Sequence, residues 1–357
     1  MKFFKIPDLG IFLPALVIYF LGISILLSIA PNLFLTQVFY GLIAIFLYVI
    51  FSQIDYHVYS NSDKVFYLIS LVFLVLTFLI GSVTRGSVRW IDLGIIRLQA
   101  SELIKPLMIV FLASSYLKKD FNLKRFLVDS FLFSLIVFII LKQPDLGNVV
   151  VFLSFWLIIL FASGFKVVLM PLIGALAIFV LPLFWRFLKG YQKERIISFL
   201  SPQADPLGIG YNAIQAMVAV GSGGLLGRGL GRGTQSHLLF LPEYHTDFIF
   251  ASFAEEFGFI GVVLLLGLYF LLLMKILKIS QKAEDKFGFL LSLGIFMIIF
   301  TQTVINVGMN IGLLPITGIT LPLVSYGGSS LVSVAVILGI ITNISHYKRE
   351  PDTILIR

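Results

Sequence analysis

The sequence predicts an all-α polytopic membrane protein of about ten transmembrane helices. Three observations predict it. Hydrophobic residues make up 59% of the 357 and charged residues only 12%, well below the roughly 25% of an ordinary soluble domain. The mean hydropathy is +1.04, more apolar side chain than a soluble core of this length can hide. The apolar residues also fall in runs close to the roughly 20 residues that cross a bilayer. A soluble enzyme, a disordered chain and a secreted disulfide scaffold are excluded. With no cysteine, so are thiolate chemistry and cysteine metal sites.

The first run, 9–29, follows the weakly basic MKFFKIPDLG; it is long for a signal-peptide core and lacks a cleavage site, so it reads as a retained span. Further spans are expected near 33–52, 65–82, 97–117, 124–142, 147–163, 166–187, 247–275, 287–311 and 329–346. Turn or charge signals mark the breaks, among them Pro31-Asn32, Asp63-Lys64, Lys118-Lys119-Asp120, Pro144-Asp145, Ser163-Gly164 and Glu284-Asp285-Lys286. Between spans seven and eight lies one long Gly-rich interruption, 188–246, too long for a tight connector and read as an extracytoplasmic loop. No repeat of 20–50 residues is present, so 1–357 is taken as a single membrane domain.

Ten spans put both termini on one side. That side would carry 15 of the 26 basic residues, with Lys64, Lys118, Lys119, Lys124, Arg125 and Lys166 in its short loops, so both termini are expected in the cytoplasm. The net charge of +8 is then a topology signal and not a nucleic-acid one. Arg85, Arg89 and Arg97 fall on the outer side, as do Lys189, Lys193, Arg195, Arg228 and Arg232 of the long loop. Long loops cross a membrane whatever their charge; a sharper reading is that these cations bind an outer-face anion such as a pyrophosphate.

Ionisable groups inside spans are candidates for function. Glu102 and Lys105 share one helix face, either as an internal salt bridge or as the lining of a polar cavity, with Gln99 and Ser101 just before them and Pro106 loosening the helix. Asp145 follows a proline at a span break, as an N-cap or as a ligand of an outer-facing cavity. Asp247 opens the eighth span, as a cap or as a general base. Glu255 and Glu256 lie further along the same helix; at 3.6 residues per turn they sit about 80° and about 180° from Asp247 and do not face one site. Gln302, Asn306 and Asn310 form a stripe at i, i+4 spacing, suited to interhelical hydrogen bonds, and Ser325 of the next segment joins that polar set. The stretch 312–330 is rich in glycine and proline at membrane depth, where irregular backbone must be buried in protein or line a cavity, so a re-entrant segment is expected before span ten. The run Gly221–Gly233 lacks the Gly-Lys-Ser/Thr end of a phosphate loop, and the four histidines have no metal spacing.

Taken together, several stretches resemble the signature of the SEDS (shape, elongation, division and sporulation) family. They include Gln143-Pro144-Asp145-Leu146-Gly147, Gly233-Thr234-Gln235-Ser236, Leu241-Pro242-Glu243, His245-Thr246-Asp247-Phe248, Glu255-Glu256 and Ser325-Tyr326-Gly327-Gly328-Ser329-Ser330. Arg89-Trp90-Ile91 and Ser101-Glu102 with Lys105 fit as well, and the match runs in order over nearly the whole chain. The wording at 233–243 looks more like the RodA branch than the FtsW branch, while Gly229-Leu230-Gly231-Arg232 departs from the commoner RodA pattern.

The resemblance implies a peptidoglycan glycosyltransferase of the bacterial inner membrane, polymerising lipid II at the outer face for cell elongation and shape, beside a class B penicillin-binding protein that crosslinks the glycan. It implies that Asp247 is the essential carboxylate and that Glu102 and Lys105 line a central cavity. Arg89, Lys193, Arg195 and Arg228 would hold the substrate pyrophosphate, with a divalent cation, Mg²⁺ or Mn²⁺, as a further counter-charge and no organic cofactor. Membrane lipids would surround the chain, and no nucleic acid is expected. Two rivals stand beside this reading: a lipid II flippase, which broken helices and a polar membrane cavity also suit, and a non-catalytic scaffold.

Overall fold

The computed structural model describes residues 7–84, 87–92, 94, 97–117, 123–164, 190–201, 208 and 210–347. The expected seventh span, 166–187, lies outside the described residues, as do Lys2, Lys5, Arg85, Lys118, Lys119, Asp120, Lys166, Lys189, Lys348, Arg349 and Arg357.

The described chain is helical. α1 (Leu9–Ile29) starts on the side chain of Asp8, which accepts from the Gly10 amide at 2.9 Å. α2 (Pro31–Gln53) begins on a proline whose missing N–H costs nothing in a first turn. α3 spans Asp63–Ile80. Where the fourth span was expected from residue 97, the chain first makes a three-stranded antiparallel sheet, β1 (Ser82–Thr84), β2 (Ser87–Asp92) and β3 (Arg97–Gln99), with Trp90 opposite Gln99 and Asp92 opposite Arg97. The helix then runs in two pieces, α4 (Ala100–Leu103) and α5 (Lys105–Ser115), broken where Pro106 has no N–H to give. α6 (Leu123–Lys142) and α7 (Leu146–Ala162) match spans five and six.

The described part of the 188–246 stretch carries helices. It holds α8 (Gly190–Leu200), α9 (Tyr211–Ser222) and the short α10 (Thr234–His237). α9 packs on the helix that begins at Ile249 through small residues, with Ala216, Ala219 and Ala251 forming an apolar cluster with Leu241 and Phe248. α11 (Ile249–Gln281), α12 (Lys286–Asn310) and α13 (Gly328–His346) complete the chain. Six of the described helices, α1, α2, α3, α11, α12 and α13, are long and apolar enough to cross a membrane.

At one end of the bundle, α1 and α11 are joined by Asp8 and Lys275 Nζ at 2.9 Å. At the α2–α3 turn, the Tyr56 hydroxyl donates to Asp285 at 2.8 Å and the Tyr56 amide donates to Asn343 Oδ1 at 3.1 Å, binding that turn to α12 and α13. Burial pushes the Asp55 carboxyl beside it up. The hydrogen bonds from the His57 amide and ring and from Tyr347 outweigh this, and it lies below its ordinary value.

Between α12 and α13 the chain is irregular, as the glycines and prolines of 312–327 require. This re-entrant segment is held from several sides. The Tyr269 hydroxyl of α11 donates to the Pro322 carbonyl, and Thr320 and Ser330 hydroxyls lie 2.9 Å apart. On the α7 side, Gly147 lets the segment come close: a Cβ there would stand 2.4 Å from Ile319 and 3.0 Å from the Thr317 carbonyl.

Candidate active site

Asp247 lies two residues before α11, at the end of an irregular turn, and not within the helix it was expected to open. The turn's three carbonyls are all taken. His245 O accepts from the Tyr326 amide at 3.0 Å, Thr246 O from Ser325 Oγ at 2.7 Å, and Asp247 O from Asn306 Nδ2 at 3.0 Å and Asn310 Nδ2 at 3.1 Å. The polar stripe of α12 and Ser325 thus meet on the backbone that carries Asp247. Asn310 Oδ1 also accepts from the Ala251 amide at 3.1 Å, in the first turn of α11. Gln302, the third member of the stripe, is fully buried, and its amide has no hydrogen-bond partner among the described residues.

The Asp247 carboxylate faces the re-entrant segment. A Cβ added to Gly318 would lie 3.4 Å from Asp247 Oδ2 and 3.8 Å from Arg195 Nη1, so a carboxylate and a guanidinium flank one glycine. Arg195 comes from α8, and its Nη1 donates to the Ile316 carbonyl at 3.4 Å. Lys193 is on the same helix, two residues earlier.

Asp145 is the N-cap of α7, accepting from the Asn148 amide at 3.3 Å. It is also the hub of a buried polar cluster: its Oδ2 accepts from Ser101 Oγ at 2.8 Å, Asn148 Nδ2 at 2.9 Å and Gln99 Nε2 at 3.0 Å. The next residue along from Ser101, Glu102, pairs with Lys105 Nζ at 2.6 Å, with both side chains buried. Glu102 Oε2 accepts no hydrogen bond among the described residues. These groups belong to the same neighbourhood as Gly318, because Gly147 beside Asp145 touches Thr317 and Ile319 on either side of that glycine.

Glu255 and Glu256 were expected not to face one site, and they bind different ends of α10. Glu255 Oε1 accepts from the amides of Thr234 at 2.8 Å and Gln235 at 3.1 Å, capping α10. Glu256 Oε1 is 2.9 Å from His237 Nε2 at the other end of α10 and accepts from Ser28 Oγ at 2.9 Å.

The Gly-rich run closes the arrangement. α11 breaks at Gly258, whose φ of 67° and ψ of −169° suit only glycine. The break strands two carbonyls and two amides, and the Gly-rich backbone satisfies them. Arg228 N donates to Glu255 O at 2.9 Å, Gly229 N to Glu256 O at 3.1 Å, Phe259 N to Gly224 O at 2.9 Å and Ile260 N to Leu225 O at 3.1 Å. The Arg228 side chain donates to Ser222 O at 3.3 Å and Thr234 Oγ1 at 3.0 Å and pairs with the buried Glu255 Oε1 at 3.9 Å. Arg89 lies on β2.

Among the described residues no group of three or more His, Asp or Glu side chains could hold a metal ion, and the Oδ2 of Asp145 already accepts three hydrogen bonds.

Of the residues singled out in the sequence, the structure brings Asp247, Asn306, Asn310 and Ser325 together and pairs Glu102 with Lys105. Sequence reasoning missed Gly318, Asn148 and the Tyr326 amide. The Asp145-to-Asn148 spacing of an N-cap was the one signal for the cluster around Asp145.

Comparison with known proteins places this geometry in context. A family model described as "Cell cycle protein", covering FtsW, RodA and SpoVE, matches residues 3–350. Peptidoglycan glycosyltransferase MrdB of Escherichia coli K12 is 40% identical over 308 residues, covering 84% of this chain and 82% of that protein. Stage V sporulation protein E of Bacillus subtilis is 40% identical over 319 residues, 87% of this chain and 85% of its own. Among solved structures, a chain from a peptidoglycan synthase complex that coordinates polymerization and crosslinking superposes with a TM-score of 0.82 at 30% identity, over 95% of this chain and 98% of that one. The crystal structure of the rod shape determining protein RodA of Thermus thermophilus gives 0.72 at 26% identity, over 97% and 98%.

Proposed function

The chain belongs to the family of FtsW, RodA and SpoVE and is a peptidoglycan glycosyltransferase, and we propose that it polymerises lipid II at the outer face of the bacterial inner membrane, with Asp247 as general base. Its work is cell elongation and shape, as a multi-pass protein of the RodA kind. Both termini lie in the cytoplasm in this proposal, and a class B penicillin-binding protein is its partner.

The observation that carries the reading is the pair beside Gly318: a carboxylate whose turn is held at the carbonyls of His245, Thr246 and Asp247, and a guanidinium close to the same glycine. Asp247 takes the proton of the acceptor's sugar hydroxyl as that oxygen attacks the donor's anomeric carbon. The new C–O bond forms as the bond to the pyrophosphate breaks, and polyprenyl pyrophosphate leaves with the electron pair. A single displacement inverts the anomeric centre. Arg195 and Lys193 on α8 are suited to the anionic leaving group, with Arg89 and Arg228 as outer-side cations further from the turn's contacts. A Mg²⁺ or Mn²⁺ ion would arrive with the substrate pyrophosphate. The buried Glu102–Lys105 pair and the Asp145 cluster support the floor of the site.

Proteoliposomes holding this chain, a class B penicillin-binding protein and lipid II, scored for both glycan polymer and lipid II translocation, test the proposal. Polymer is the expected product. Translocation without polymer would return the flippase reading, and neither signal would leave a scaffold.

A further inference from the structure

We infer that Asn306 is a positioning residue that holds Asp247 in place, by tying the turn that carries it to the re-entrant segment beside it. The inference rests on Asp247 being the base.

An amide nitrogen has two hydrogens to give. Asn306 Nδ2 gives them to two main-chain carbonyls, Asp247 O at 3.0 Å and Ile319 O at 2.7 Å. The first belongs to the base itself. The second belongs to the residue after Gly318, the glycine whose added Cβ would lie close to both Asp247 Oδ2 and Arg195 Nη1. One side-chain nitrogen therefore joins the turn to the re-entrant segment. Neither is regular structure: Asp247 precedes its helix, and 312–327 has no internal ladder to fix it. The placement of the turn against that segment must come from such cross-links.

Asn310, one helical turn on, reinforces the link. Its Nδ2 donates to the same Asp247 carbonyl at 3.1 Å and to Asn306 O at 2.8 Å, and its Oδ1 takes the Ala251 amide. Both asparagines are fully buried, and their amide nitrogens donate to main-chain carbonyls, so their effect is on position. Small displacements matter here, since an error of about 1 Å between reacting groups costs on the order of a hundredfold in rate.

The test is steady-state polymerisation of lipid II by the full-length chain with its partner, comparing Asp247→Asn, Asn306→Ala, Asn306→Ser, Asn310→Ala and Thr301→Val. Thr301 makes a plain interhelical hydrogen bond from the same helix, 2.9 Å to Ser154, and serves as the structural control. Asn306→Ala should lower kcat at least tenfold with KM changed less than threefold, and the rate–pH profile should keep its shape. Asn310→Ala, which leaves the Asn306 link intact, should lose less, and Asn306→Ser should recover part of the loss. Thr301→Val should stay within twofold of wild type. Full kcat in Asn306→Ala, with Asp247→Asn inactive, overturns the positioning role and spares the base. An active Asp247→Asn overturns the base itself. If Asn306→Ala does not fold, Asn306→Ser and Asn310→Ala carry the comparison, and wild-type kcat in both overturns the role.

Discussion

At the residue scale, Arg195 and Arg228 differ in what they hold. Arg195 donates to the re-entrant carbonyl of Ile316 and lies beside Gly318 with Asp247, whereas Arg228 bonds Ser222 and Thr234 and pairs with buried Glu255. Arg195→Ala should therefore lower polymerisation about tenfold or more with little change in thermal stability. Arg228→Ala should lower both together, and a differential scanning measurement beside the activity assay separates them. Glu102→Gln leaves Lys105 as a buried charge without its partner, which costs on the order of 3–5 kcal/mol. We expect a large drop in unfolding temperature together with a loss of activity; a drop in stability alone would confine the pair to a structural role. Asp247, Glu102 and Lys105 were legible in the sequence because an ionisable group inside an apolar run is costly and stands out. The stripe of Asn306 and Asn310 was legible as a stripe. Its acceptors were not, because they are backbone carbonyls of a turn 59 and 63 residues away that no periodicity reveals.

At the element scale, the Gly-rich run and the broken helix α11 explain each other. A helix break strands backbone groups that lipid cannot satisfy, and four hydrogen bonds from the 224–229 backbone supply the partners. Gly258→Ala tests this coupling. The residue sits at φ 67°, and a Cβ would fall 2.1 Å from the Gly227 amide nitrogen, so backbone must move. The conformational penalty alone is on the order of 1–3 kcal/mol, and we expect faster proteolysis of the outer segment at residues 221–246. Unchanged proteolysis and stability would mean the docking is incidental. In the sequence this run stood out only as glycine-rich, without the Gly-Lys-Ser/Thr end of a phosphate loop. Its actual partner, the kink 30 residues further on, could not be read, because a lone glycine in an apolar helix is ordinary until its dihedral angles are known. The strands at 82–99 were hidden for a related reason, since three short segments between apolar runs carry too little pattern.

At the scale of the whole molecule, the apolar composition predicted the architecture, and the helices observed lie close to the expected spans. The bundle is tied at the α2–α3 turn by Asp55, His57, Tyr56 and Tyr347. A carboxyl held below its ordinary value stabilises the fold above its unfolded pKa and loses that contribution as pH falls through the folded one. The Asp55 share should thus be complete at neutral pH and fade below about pH 4. Asp55→Asn should flatten the acid limb of a stability–pH curve while leaving stability at pH 7 to 8 nearly level with pH 6.

The central claim is that Asp247 performs the chemistry of a glycan polymerase. Asp247→Asn tests it cleanly, because Asn306 and Asn310 grip the main chain at that position and the substitution leaves those bonds in place. The measurement is glycan strand formation from lipid II by wild type and Asp247→Asn, each purified with the same class B penicillin-binding protein and matched for unfolding temperature. Wild type should build polymer and Asp247→Asn should build none above background. Equal polymer from the two would contradict the assignment.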